Sequence, residues 1–316
     1  MRKGIVGWSV VMLLSLGLAF WASRSDRDDK RFEIWRDLQP DQIQGVKLTS
    51  EKLTIAASRM ESGFRIAFLE KDKPAAEFKA SPKFDKLLEV FAPLQVVRVI
   101  KKNAPEKDEE FGIDEAAPRL TVALQGEGQL EFVVGKKSYG SRNLFLADLG
   151  KKAILLINGT AIDDFKRANR AMFERRLVGF SGSDVTSALL KAGSISSELT
   201  HDQRGARGQI VWQRKDKGEE GADTVDNWMN KLLKLTVTEY APAERAQQFP
   251  ANAEPLLELS FRKGAETLDQ LEFIRVSADG KSPAIWVRGK FSGGWARVST
   301  SRYQALEKDL SAVFGS

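Results

Sequence analysis

Over most of the chain, apolar residues alternate with polar ones at the two-residue period of half-buried strands. Val46 and Leu48 flank Lys47, Leu53 and Ile55 flank Thr54, and Phe64, Ile66 and Phe68 share one face of the segment after Gly63. A different spacing, Phe84, Leu87, Leu88 and Phe91, marks a short helix. Ser81 is its N-cap candidate, Pro82 suits its first turn, and Pro93 favours termination near its end. Residues 94–100 then read as one strand, followed by a charged loop over 101–110. Further strands are expected over 118–124, 130–134, 144–147 and 153–157. Gly126 and Gly128 mark a hairpin tip, where a tight connection needs positive φ. A last helix is expected over 160–173, burying Ile162, Phe165, Ala168, Met172 and Phe173. Asn158, Gly159 and Thr160 match a glycosylation sequon but read better as a turn leading into that helix.

The pattern is written twice. The segment opening at Asp41 returns at Ser183, and the helix opening at Phe84 returns at Val225, 141 residues on. Pro118–Leu124 finds a counterpart at Pro255–Phe261, Leu130–Phe132 at Leu271–Phe273, Leu144–Leu146 at Ile285–Val287, and Ile157–Phe173 at Val298–Phe314. In the second copy Ile210 and Trp212 take the part of the Phe64 strand. The reading is an α+β chain in which strands predominate, built as two tandem homologous domains. Residues 1–30 form a leading segment, 31–180 a first domain and 181–316 a second, more divergent one.

That leading segment carries no charge over residues 4–23. As a helix rising ~1.5 Å per residue, such a run spans about 30 Å, the thickness of the hydrocarbon core of a bilayer. Trp8 and Trp21 lie near its ends, where indoles favour the headgroup boundary. A cleaved secretory signal is the competing reading. The run is long for a signal, and Phe20 and Trp21 crowd the place where small residues should lie. An uncleaved single-pass anchor in the cytoplasmic membrane is therefore expected, with the bilayer as a partner through residues 4–23 and the bulk of the chain on the periplasmic side. Arg24, Arg27, Lys30 and Arg31 follow the span, so basic flanks alone do not set this orientation.

Several segments resemble the bacterial domain-of-unknown-function 4340 family. They are Val96–Ile100, Phe111–Asp114, Ala117 and Pro118 leading into Leu120–Leu124, Leu130–Gly135, and the closing set Asp164, Phe165, Phe173–Leu177, Phe180, Asp184 and Val185. Ile113 stands where the family usually has leucine, and Phe64 where it usually has tryptophan. The resemblance covers most of residues 41–185. It implies a single N-terminal span with the domain outside the cytoplasm, and a gene often found beside those of ABC-type transporters of the gliding-motility-associated kind, which suggests an accessory subunit of a membrane complex. It supplies no catalytic residue.

Composition narrows the chemistry. Among 316 residues there is no cysteine and one histidine, His201. Disulfides, thiolate metal sites, cysteine nucleophiles and multi-histidine sites are thereby excluded. His201 reads as an exposed residue of a hairpin tip. The net charge of +6 is too small for its length to argue for nucleic acid. Gly135-Lys136-Lys137-Ser138 ends like a phosphate loop, but Leu130 replaces its first glycine. Gly179-Phe180-Ser181-Gly182-Ser183 fails the nucleophile-elbow pattern at its last position. The acidic neighbours Glu109 and Glu110, and Asp163 and Asp164, do not share a helix face. The basic run over 166–176 reads as the solvated face and last turn of the expected helix. No catalytic residue, cofactor or metal ligand is assigned. Arg175, Arg176 and Phe180, at the junction of the two copies, are the candidates for docking a protein partner. The expectation is a non-enzymatic, membrane-anchored accessory protein of an ABC-type transporter assembly. An envelope polymer-binding protein, or a cell-wall hydrolase using distant carboxylates, is the alternative.

Overall fold

The computed structural model describes residues 32–314, apart from residues 62, 127, 205–208, 243–245, 248, 250–252 and 279–280. The apolar run over 4–23 lies outside the described residues. Among those described, no helix is long and apolar enough to cross a membrane.

The first half carries β1 (Glu33–Arg36), β2 (Ile43–Thr49), β3 (Leu53–Met60), β4 (Gly63–Glu70), β5 (Ala76–Lys79), α1 (Asp85–Phe91), β6 (Leu94–Val96) and β7 (Arg98–Lys102). It continues with β8 (Arg119–Leu124), β9 (Gln129–Lys137), β10 (Asn143–Asp148), β11 (Ala153–Asn158), α2 (Thr160–Phe165) and α3 (Ala168–Ala171). In the second half come β12 (Ser187–Ala192), β13 (Ile195–Arg204), β14 (Gln209–Arg214), α4 (Ala222–Leu233) and β15 (Val237–Tyr240). Then follow β16 (Ala253–Lys263), β17 (Glu266–Ala278), β18 (Lys281–Arg288), β19 (Ala296–Val298) and α5 (Thr300–Phe314). Strands predominate and helices are few, as the alternation predicts.

Three sheets result. One runs β5-β4-β3-β2-β8-β9-β10-β11-β7, another β14-β13-β12-β16-β17-β18-β19-β15, and β1 pairs with β6 alone. Each strand's apolar positions supply the buried face: Val46 and Leu48 in β2, Phe64, Ile66 and Phe68 in β4, and Leu257, Leu259 and Phe261 in β16. Segment 94–100 is not one strand. Leu94 and Val96 pair with β1, and at Val97 the chain changes sheets, its amide donating to the Leu156 carbonyl at 2.8 Å.

The expected helix over 160–173 is also broken. Arg167 leaves helical geometry at φ −117°, and α3 ends at Ala171. The cause is tertiary: the backbone beyond it is taken up by the edge of the first sheet. The Ser81 amide donates to the Met172 carbonyl at 2.7 Å, Phe173 bridges to Ala80, and the Glu174 amide donates to the Lys79 carbonyl at 2.8 Å. On its other side the segment meets the second sheet, with the Val237 amide donating to the Arg175 carbonyl at 2.9 Å and Arg176 bridging to Thr236. Residues 173–176 thus lace β5 to β15. Arg175 and Arg176 lie in extended chain, not in the last turn of a helix as the basic run had predicted.

Phe78, Phe173 and Tyr240 form an aromatic triad at this joint, with centroids 6.1–6.3 Å apart. The Tyr240 hydroxyl donates to the Glu174 carbonyl at 3.2 Å, and burial raises its pKa so that it stays a donor. One buried apolar cluster takes in residues of both large sheets. His201 is not at a hairpin tip. It lies half-buried within β13, its ring 5.3 Å from that of Trp212 and its Nε2 donating to the Val185 carbonyl.

Candidate functional site

At the joint a loop from the second sheet crosses toward the first. Residues 289–294, Gly-Lys-Phe-Ser-Gly-Gly, connect β18 to β19, and a buried carboxylate fixes their start. Asp269, 2% exposed, accepts the Gln270 and Lys290 amides at Oδ1 (2.8 and 2.7 Å) and the Phe291 amide at Oδ2 (3.2 Å). The loop closes on Ser292, whose Oγ accepts the Gly289 amide at 3.0 Å. Gly293 turns the chain with φ +67°, a conformation that glycine adopts without strain.

Phe291 is thereby presented to the first half. The Lys79 ammonium lies 3.9 Å from its ring centroid and the Arg176 guanidinium 5.5 Å, so two cations face one aromatic surface. Gly179 packs against the ring: a Cβ there would lie 2.3 Å from Phe291 Cδ2. The Arg65 guanidinium reaches the Gly293 carbonyl at 3.5 Å.

A cleft of about 440 Å³ opens beside this arrangement. Phe64, Phe84, Phe180, Leu268 and Phe291 give it apolar walls, and Lys79, Arg176 and Lys290 give it cations. Lys79 has its pKa lowered, chiefly by desolvation and further by the positive charges of Arg176 and Arg65, against the pull of Glu174 and Asp269. The carboxylates of the cleft are differently placed. Glu174, 4% exposed, accepts the Arg175 and Arg176 amides at Oε1 (2.9 and 3.0 Å) and the Arg176 side chain at both oxygens (3.2 and 2.8 Å). Burial alone would push its carboxyl up, but the Arg176 guanidinium and the two amides outweigh burial and hold it below the usual carboxylate range. Glu174 and Asp269 therefore shape the joint and the loop. Asp85 sits at the exposed start of α1, its pKa raised by desolvation and by Glu89.

Of the three predicted docking residues, Arg176 and Phe180 line the cleft. Phe180 is half-buried, its ring 4.9 Å from that of Phe261. Arg175 does not line the cleft; its guanidinium lies 4.9 Å from the Phe173 ring centroid. Sequence reasoning missed Lys79, Glu174, Asp269 and Phe291. For the loop a signal exists, since three glycines within residues 289–294 mark a tight excursion between two strands. Nothing local distinguishes Glu174 from the surface acids around it. Gly135, the glycine of the phosphate-loop-like tail, has a structural reason: it lies in β9, where a Cβ would come 2.4 Å from the Phe111 carbonyl oxygen.

The fold and cleft define a strand-rich chain whose two large sheets are laced at their edges around an aromatic and cationic groove. By sequence the chain belongs to the family described as domain of unknown function (DUF4340), whose model matches residues 80–255. The matched stretch begins at the joint, takes in every segment from Val96 to Val185 that carries the resemblance, and runs into β16. It therefore includes the lacing segment 173–176 and the Phe180 wall of the cleft. No curated protein and no solved structure matches the chain.

Proposed function

We propose that this protein is a membrane-anchored, extracytoplasmic and non-enzymatic accessory component of an ABC-type transporter assembly, built as two copies of one architecture and acting by contact. The shared sequence β4-β3-β2-β8-β9-β10-β11-β7 and β14-β13-β12-β16-β17-β18-β19-β15 across the two large sheets supports the duplication. One observation carries the contact reading: Arg65, Lys79, Arg176 and Lys290 gather around Phe291 beside apolar walls, while the buried acids Glu174 and Asp269 are occupied by hydrogen bonds of their own. Such a groove suits a protein segment that sets acidic side chains beside apolar ones. The anchor is supported by the uncharged run over 4–23.

The test is site-specific photocrosslinking in cells from positions 176 and 180, with position 216 on the far side of the second sheet as reference. Capture of a transporter subunit from 176 and 180 but not from 216 is the expected result. Equal or absent capture at all three positions refutes the reading. Asp85 is the one observation that favours the hydrolase alternative, because a raised carboxyl pKa suits a general acid. Under the contact reading Asp85→Asn leaves function in the envelope intact. Under the alternative it abolishes release of fragments from cell-wall glycan.

A further inference from the structure

The end of the first sheet at which the described chain begins carries a second cluster of unusual groups. Phe32, 44% exposed, lines a cavity of about 680 Å³ together with Lys83, Lys86, Pro93, Asn158 and Thr160. The tip between β9 and β10 lies at the same end: Asn143 pairs with Asn158, and the Gly159 amide donates to the Arg142 carbonyl at 3.0 Å. On that tip Tyr139 is 104% exposed, flanked by the exposed Lys136 and Arg142. Nearby acids are partly offset, with Asp163 paired to Lys137 and Asp164 to Arg167, which leaves Glu89 on the cavity wall.

A fully exposed tyrosine and a half-exposed phenylalanine among lysines and arginines match the chemistry of a bilayer's headgroup layer. Aromatic rings partition to that boundary, and each basic residue near an anionic surface adds attraction. Chain length fixes which end can reach it. Eight residues, 24–31, separate the apolar run from Phe32. Fully extended they cover at most about 29 Å. This end of the first sheet therefore stays close to whatever the run is embedded in.

We propose that Phe32 and Tyr139, with Lys83, Lys86, Lys136 and Arg142, form a face that docks on an anionic phospholipid surface and sets the first sheet upright on the membrane. The proposal rests on the anchor reading above and adds to it an orientation and a lipid class.

The lack of cysteine makes the test direct. Tyr139→Cys gives the full-length chain a single site for an environment-sensitive fluorophore. The labelled protein is reconstituted into nanodiscs of phosphatidylcholine, alone or mixed with phosphatidylglycerol. The expected result is co-elution with both discs, and a blue-shifted emission in the phosphatidylglycerol discs alone that added salt reverses. The charge reversals Lys83→Glu, Lys86→Glu and Arg142→Glu, all at exposed positions, together reduce that shift several-fold. Co-elution with the same emission in both lipids overturns the docking face and leaves the anchor standing. Elution apart from both discs overturns the anchor reading, and the proposal with it.

Discussion

The two large sheets end differently on the side away from their long central strands, although their strand orders run alike. Beyond β4 the first sheet adds β5, whose outer edge bonds to the backbone of Met172–Glu174 through Lys79, Ala80 and Ser81. The second sheet stops at β14, and there a side chain meets the edge: the Trp212 amide donates to Asp226 Oδ1 of α4 at 3.0 Å. An edge that offers free backbone groups recruits another segment, whereas an edge capped by a carboxylate on its own helix remains a boundary. The joint, the cleft and the cations around Phe291 all lie on the recruiting side.

The largest expected effect tests whether this lacing makes one folding unit of the two sheets. Trp228 is 2% exposed in α4, its indole N–H donating to the Leu306 carbonyl at 3.1 Å and its ring 5.1 Å from that of Phe314. Trp228→Ala empties a site between α4 and α5 and should cost about 4 kcal/mol. With the joint intact, urea unfolding of the full chain in detergent should remain a single transition that moves as a whole to lower denaturant. A second transition appearing with the first sheet's stability unchanged would show the halves to be energetically separate.

The joint itself is next. Glu174→Gln keeps the shape but removes the charge that holds Arg176 and two amides, with an expected loss of about 2 kcal/mol. Its pH dependence has a definite sign. Because the folded carboxyl lies below its ordinary value, its contribution is fully present above the unfolded Glu range and is lost as pH falls through the lowered folded pKa. Wild type should therefore lose stability on acidification more steeply than Glu174→Gln through that window, by thermal melts at matched ionic strength. Parallel acid limbs would mean that the carboxylate is not charged in the folded joint.

What the sequence disclosed and what it withheld divide along the same line. Strands such as β2, β4 and β16 were legible because burial on one face imposes a two-residue period on the residues themselves, and α1 because its stripe falls at helical spacing. The break at Arg167 was not legible. Met172 and Phe173 continue the helical spacing, and only the pull of the β5 edge, a contact with residues nearly a hundred positions earlier, draws them into extended chain. Val97 is similar: apolar residues on both sides of it read as one strand, and the change of sheet depends on β1, which precedes it by some sixty residues. His201 was misplaced because its polar neighbours look like a turn, whereas they continue strand β13, in which His201 pairs with Trp212 of β14. Within the cleft, Arg176 and Phe180 stood out by position at the expected junction of the two halves. Asp269 did not, because its task is to satisfy amides of a loop twenty residues further on.

The smallest effect on stability bears most directly on why one edge recruits and the other does not. Asp226 holds the Trp212 amide with Oδ1 and accepts from the Asn230 side chain at Oδ2, 2.8 Å away. Asp226→Ala should cost about 1 kcal/mol, the typical net worth of a lost hydrogen bond. Its larger consequence is for association. The uncapped Trp212 amide turns β14 into an edge with a free donor, flanked by Ile210, and such edges pair with other strands. Sedimentation of the full chain at rising concentration should show a self-associating species for Asp226→Ala, and none for Asp226→Asn, whose amide oxygen can still accept the Trp212 amide. If the alanine variant stays as monodisperse as wild type, α4 shields the edge by bulk alone, and the contrast between the two edges rests on packing rather than on the single carboxylate.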